Sequence, residues 1–113
     1  YKYAEQIGLN ELSSGNLSCR FEDGMLISPS GASAETIAPE NIVRVSLDGE
    51  WEGDRKPSSE WRMHAAVYQA QESAEAVVHT HSDYCVALAC QLLPPVAHFL
   101  RSIKKLCPLL VGE

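Results

Sequence analysis

The chain has 113 residues, room for one compact domain, and its 45% hydrophobic and 21% charged content is that of an ordinary globular protein. A net charge of −6 argues against non-specific binding to nucleic acid or to an anionic membrane surface. No apolar run reaches the ~20 residues of a transmembrane helix, and no secretory signal pattern opens the sequence. The four cysteines, Cys19, Cys85, Cys90 and Cys107, include no Cys-x-x-Cys pair, so buried free thiols and a cytoplasmic location are expected.

Taken from the N-terminus, Tyr1 to Ile7 is helix-compatible and closes at Gly8, a C′ glycine. Ser13-Ser14-Gly15-Asn16 reads as a turn. Leu17, Cys19 and Phe21 then alternate with polar residues, the pattern of a half-buried strand with those three on its inner face. Glu22-Asp23-Gly24 carries the Asp-Gly hairpin signal, with Met25-Leu26-Ile27 as the returning strand and Ser28-Pro29-Ser30-Gly31 as its end. Pro39-Glu40-Asn41 predicts a short turn of helix, and Ile42 to Leu47 a strand. Asp48-Gly49 then turns into a second short strand around Trp51.

Ser58 or Ser59 is placed to cap a helix running to about Gln71, with Met63, Ala66, Val67 and Ala70 on its apolar face. Ala76-Val77-Val78-His79 is a short apolar strand. Ser82 or Asp83 caps a further helix to about Leu92, stopped by Pro94-Pro95. The order hairpin, strand, helix, strand, helix predicts an α/β fold with a mixed or largely antiparallel sheet. Both ends of the sequence are expected to be cut, because Tyr1 opens inside a helix end and Val111-Gly112-Glu113 follows no evident terminal element.

His79-Thr80-His81 and Glu60 carry the chemistry. Alternate residues of a strand point to one face, so both imidazoles can aim at one ion, and Glu60 reaches them from a helix start. A His-x-His pair with a distant carboxylate gives three protein ligands and leaves a position for substrate. Two alternatives stay open on the residues alone. Glu60 complements a helix dipole and the histidines are polar strand-end residues, or Glu60 pairs with His64 four residues on, along one helix face. In the leading reading His64 is a helix-face side chain beside the site.

Gly15-Asn16-Leu17-Ser18, Ile27-Ser28-Pro29-Ser30-Gly31, Pro57-Ser58-Ser59-Glu60 and Val77-Val78-His79-Thr80-His81 occur in the order seen in the class II aldolase/adducin family. The run from Lys56 to His64 most resembles the L-fuculose-phosphate aldolases of that family, and the resemblance covers roughly Gly8 to Phe99 of a single, incomplete domain over residues 1–113. It implies a three-layer α/β/α fold around a mainly antiparallel sheet, a homotetramer with sites between subunits, a divalent metal, typically zinc, and a sugar phosphate substrate. By match, His79 and His81 are metal ligands, and Glu60 both approaches the metal and moves the substrate proton. Gly15, Asn16, Ser30, Gly31, Ser58 and Ser59 match the phosphate-binding positions.

The implied reaction is aldol cleavage of a ketose 1-phosphate to dihydroxyacetone phosphate and an aldehyde, with an enediolate stabilised by a Lewis acid. The resemblance also marks departures. A third metal-binding histidine belongs to a His-His-Gly segment that these 113 residues do not contain, and His98 matches a position that is not a ligand. Phe99 stands where these aldolases place a protonating tyrosine, and the tail from residue 100 to 113 diverges. Related possibilities are a pentulose-phosphate 4-epimerase, which would carry Asp at position 60, a methylthioribulose-phosphate dehydratase, and a catalytically silent interaction module of the adducin type.

Overall fold

Three antiparallel pairings build one four-stranded sheet in the order β3-β2-β1-β4, from β1 (Asn16–Phe21), β2 (Gly24–Ile27), β3 (Val43–Ser46) and β4 (Ala76–His79). The computed structural model describes residues 1–10, 13–81 and Tyr84. The chain divides into two units, Tyr1–His81 and Ser82–Glu113. All that follows concerns the first. The helix predicted from Ser82 or Asp83 to Leu92, its Pro94-Pro95 stop, Cys85, Cys90, Cys107, His98 and Phe99 lie outside the described residues.

The remaining elements are a short helix α1 (Lys2–Gln6), a 3-10 turn at Pro39–Asn41 and the helix α2 (Trp61–Ala70). Helix α1 ends as expected at Gly8, whose N–H donates to Glu5 O while the Leu9 N–H reaches Ala4 O. The strand expected around Trp51 is a single bridge to Val45. No helix among the described residues is long and apolar enough to cross a membrane.

The inner sheet face changes character from one edge to the other. Register places Val43 and Val45 of β3 opposite Ile27 and Met25 of β2, and those opposite Ser18 and Arg20 of β1. Met25, Ile27, Val43 and Val45 form the apolar core with Ala65 and Tyr68 of α2, all nearly inaccessible to solvent. Toward β4 the same face turns polar. Asn16, Ser18 and Arg20 of β1 run alongside α2 and bond to it in step. Asn16 reaches Glu60 and His64, and Ser18 reaches His64 and Tyr68. Arg20 closes the far end by donating to the carbonyls of Tyr68, Gln71 and Ala74.

This reverses the face expected for β1. Leu17, Cys19 and Phe21 alternate as predicted, but Asn16 and Ser18 are the buried pair, while Phe21 is 41% exposed and Cys19 is an exposed free thiol. Buried hydrogen-bond partners on α2 decide which of the two alternating faces goes inward. The face of α2 also differs. His64, Ala65 and Tyr68 are buried and Trp61 packs beside the core, at i, i+3, i+4 and i+7, whereas Met63, Ala66 and Ala70 are exposed.

The hairpin loop is Glu22-Asp23, and the left-handed backbone sits at Glu22 (φ 50°) rather than at the glycine. Gly24 instead opens β2, where a Cβ would stand 2.4 Å from Val45 O. Gly24→Ala is therefore expected to force β2 and β3 apart and to cost about 1–3 kcal/mol of stability, read from urea unfolding midpoints. An unchanged midpoint would show that the strands shift without loss.

Candidate metal and anion site

The polar end of the inner face meets the start of α2. Asn16 pairs with His79 across the sheet, so both side chains lie on the face that α2 covers. The chain can pass the end of β4 only as glycine. Gly15 has φ +73°, and a Cβ there would fall 2.8 Å from His79 O and 2.2 Å from Asn10 Oδ1.

Ser58 does not cap α2 in the manner expected. The N-cap residue is Glu60 itself, and the helix begins at Trp61. Ser58 forms the turn before it. Its hydroxyl accepts from the Glu60 N–H at 3.3 Å and its carbonyl from the Trp61 N–H at 3.1 Å. Ser58 is anchored in turn by its own N–H, which donates to Ser28 O beside the bridge between Pro29 and Pro57. This ties the Glu60 turn to the loop that follows β2 and aims the carboxylate at β4.

Glu60 Oε2 lies 3.3 Å from His79 Nε2, and His79 Nε2 lies 3.0 Å from His81 Nε2. The two imidazoles are nearly perpendicular, at 86°. One ligand atom from each of Glu60, His79 and His81 falls within 4.8 Å of the others. Tetrahedral ligands at 2.0–2.2 Å from zinc are separated by roughly 3.4 Å, so the two short separations are of the size an ion would impose. One oxygen and two nitrogen donors suit a borderline divalent metal, and the residues fit such an ion. The Glu60–His64 pairing is not formed, since both nitrogens of His64 are engaged by Asn16 and Ser18.

A cavity of about 300 Å³ opens on this cluster, lined by Gly15, Asn16, Ser30, Gly31, Ser58, Ser59, Glu60 and His81 among others. All six residues singled out for phosphate thus border the same space as the carboxylate and one imidazole. Among the described residues the Gly31 and Ser59 amides donate to no protein group. Sequence reasoning missed Ser18 and Tyr68, which hold His64 from behind. Their signal was present as positions: Ser18 is two residues from Asn16 on one strand face, and Tyr68 is four residues from His64 on one helix face.

His64 is fully buried, and burial, reinforced by His79 and opposed by Glu60, holds its imidazole down to about 4. An unfolded histidine titrates near 6.5. Between those values the unfolded chain binds a proton that the folded chain refuses, so stability falls as pH drops from about 6.5 to 4, by ~3 kcal/mol in total. His64→Gln cannot take up that proton and is expected to flatten this part of the pH profile. Urea midpoints at pH 7 and 4.5 test it, and an equally steep loss in the variant would assign the effect to another group.

The family described as Class II Aldolase and Adducin N-terminal domain matches residues 1–108. A 5-methylthioribulose-1-phosphate/5-deoxyribulose-1-phosphate aldolase of Rhodospirillum rubrum is 46% identical over 95 residues, which cover 83% of this chain and 43% of that protein. An L-fuculose phosphate aldolase of Escherichia coli O6:H1 is 42% identical over 96 residues, 84% of this chain and 45% of that one. Among solved structures, an L-fuculose 1-phosphate aldolase superposes with a TM-score of 0.73 at 36% identity, over 80% of this chain and 44% of that chain. The chain spans less than half the length of these relatives.

Proposed function

Because this chain belongs to the class II aldolase/adducin family, we propose that it forms the metal- and phosphate-binding half of an aldolase acting on a ketose 1-phosphate. The observation that supports this reading is the cluster of Glu60, His79 and His81, two of which, Glu60 and His81, border a cavity also lined by the turns at Gly15-Asn16, Ser30-Gly31 and Ser58-Ser59. The fold is the α/β type of the related aldolases, with an antiparallel sheet.

In this reading the phosphate sits among neutral donors: the Ser58 and Ser59 hydroxyls, the free Gly31 and Ser59 amides, and the start of α2. The ketose carbon chain then extends toward His79 and His81. Cleavage breaks the C3–C4 bond, and the C4 hydroxyl passes its proton to water as it becomes the aldehyde. The bonding pair stays on the C2–C3 half, which takes up a proton at C3 to give dihydroxyacetone phosphate. A divalent ion held by Glu60, His79 and His81, with zinc proposed, supplies Lewis-acid stabilisation of the charge that builds on that half. Glu60 moves the proton at C3, because its carboxylate faces the cavity and is 39% exposed. A phosphorylated ketose does not cross a bilayer unaided, so the reading places the reaction in the cytoplasm. His81 is exposed at the β4 edge, where a neighbouring subunit of a homotetramer would complete the site.

The ketoses named for the relatives, L-fuculose 1-phosphate, 5-deoxyribulose 1-phosphate and 5-methylthioribulose 1-phosphate, share the C1–C3 half and differ beyond it. That shared half is the part of the substrate proposed for the residues gathered here. Phe99, in place of the expected tyrosine, favours a second reading in which the domain binds the same ligands without turning them over. A coupled assay for dihydroxyacetone phosphate, with zinc and each ketose in turn, separates the two. Product formation supports the aldolase. Phosphate-dependent heat protection, weakened by Ser59→Ala and untouched by Ser73→Ala, without product, supports the silent domain. Equal effects of the two serine changes would overturn the phosphate assignment in both readings.

A further inference from the structure

Beneath Glu60 lies a line of four buried polar side chains whose hydrogen bonds allow only one set of donor directions. Asn16 stands between Glu60 Oε2 and His64 Nε2. A carboxylate oxygen only accepts, so the Asn16 nitrogen faces Glu60 and its oxygen faces His64. That amide oxygen also only accepts, so His64 Nε2 carries the ring proton and Nδ1 is left bare. Ser18 Oγ is 2.7 Å from Nδ1 and donates to it. The Tyr68 hydroxyl is 2.7 Å from the same Oγ and donates to Ser18. Tyr68 is fixed in turn by Arg20, whose guanidinium lies 4.8 Å over its ring and donates to its carbonyl.

None of the four is more than 6% exposed, so water offers few competing partners. Each member of the line therefore has its partner dictated by the next, and each bond polarises its neighbour toward the carboxylate. The opposite set of directions would turn the Asn16 oxygen onto the Glu60 oxygen, two acceptors in contact. Without the line, the Asn16 amide would be held only by its single bond to Glu60 and could swing away from it, so that Glu60 would lose its donor. The remaining contact of Oε2, His79 Nε2 at 3.3 Å, would then be made or lost by a freely turning side chain.

We propose that His64, held by Ser18 and Tyr68, is a positioning residue that locks the Asn16 amide so that its N–H delivers Glu60 to His79. It touches neither substrate nor metal. The importance given to Glu60 rests on the function proposed above, whereas the direction of the line does not.

Two measurements on the whole 113-residue chain test it. The first uses the metal-free protein and nitrogen NMR of its histidines at neutral pH. His64 is expected in the Nε2–H tautomer, with the Asn16 side-chain amide protected from exchange. An Nδ1–H tautomer would overturn the proposal, since the amide would then have to face the other way. The second compares zinc affinity in two variants. The amide of His64→Gln reaches the place of Nε2 and can still donate to Asn16, whereas His64→Asn stops short of it. Zinc binding is expected to weaken about 10-fold or more in His64→Asn, the range typical for loss of an outer partner of a metal ligand, and to be largely restored in His64→Gln. Equal losses in both variants would reduce His64 to a packing role and overturn the proposal. A wild-type chain that binds no zinc defeats the metal reading of the site instead, and the tautomer then decides the positioning role alone.

Discussion

In a full-length aldolase of the kind proposed above, Glu60→Gln is expected to lower cleavage of L-fuculose 1-phosphate by about 10²–10⁴-fold, the loss typical for removal of a positioned proton carrier, whereas the 113-residue chain by itself is expected to show no cleavage. Glutamine keeps the length, the planar end and one oxygen that can accept from Asn16 and face His79. It cannot take up or return a proton at C3. The Glu60 backbone sits in a turn set by Ser58 Oγ and Ser58 O, neither of which touches its side chain, so the start of α2 is unchanged by the substitution. Phosphate binding is expected to survive as well, because the Ser30-Gly31 turn does not depend on the Glu60 charge. Removing a carboxylate beside a phosphate would if anything tighten that step. The measurement is turnover with zinc at saturating ketose phosphate, read with heat protection by inorganic phosphate. Turnover within a few-fold of the unsubstituted protein would show that another group carries the proton. Loss of phosphate protection together with turnover would show that Glu60 organises the cavity rather than the chemistry.

The sequence made the hairpin, the strand at β4 and the pairing of His79 with His81 readable, because each follows from local rules. The alternation of β1 and β2 around Glu22-Asp23, and the His-x-His spacing at a strand end, need no knowledge of the remaining fold. What it hid was direction. Period two gives β1 two faces, and the apolar one, Leu17-Cys19-Phe21, is the natural choice for the interior. The choice fails because Asn16, Ser18 and Arg20 each find partners on α2, and a satisfied polar face can be buried at no greater cost than an apolar one. The same cause misled the reading of α2. His64 and Tyr68 fall outside the apolar stripe of α2, and their burial follows only once Ser18 is known to stand opposite them. Gly24 looked like a turn glycine because its neighbour is Asp23, and its real constraint, the Val45 carbonyl, lies on the next strand, β3. The errors thus share a physical origin: hydrophobic pattern ranks residues by transfer from water, and a hydrogen-bonded partner cancels that ranking.

His79→Ala is expected to weaken zinc binding by at least ~100-fold, beyond the 10–100-fold range typical of losing an outer partner. His79 is the middle member of the cluster. Its Nε2 is 3.3 Å from Glu60 Oε2 and 3.0 Å from His81 Nε2, so it is the one donor in close contact with both others. It is also the best anchored. His79 ends β4, paired with Asn16 across the sheet, whereas His81 lies beyond the strand and is exposed. Alanine at 79 leaves one carboxylate and one unanchored imidazole, too few for the three protein ligands usual in a catalytic zinc site. The wild-type chain itself is expected to bind only weakly, at roughly micromolar concentrations or above, since one of its three donors, His81, is exposed and lies beyond the strand that would anchor it. His81→Ala should weaken binding too, but less, because the pair that survives it, Glu60 and His79, is held by the helix start and the sheet. Calorimetric titration of zinc into the three proteins gives the ranking, and unchanged far-ultraviolet circular dichroism excludes unfolding as the cause. A larger loss in His81→Ala than in His79→Ala would place the ion away from Glu60. Sub-micromolar binding that survives His79→Ala would mean that the ion sits elsewhere in the chain, and the cluster at the end of β4 would lose its claim to be the metal site.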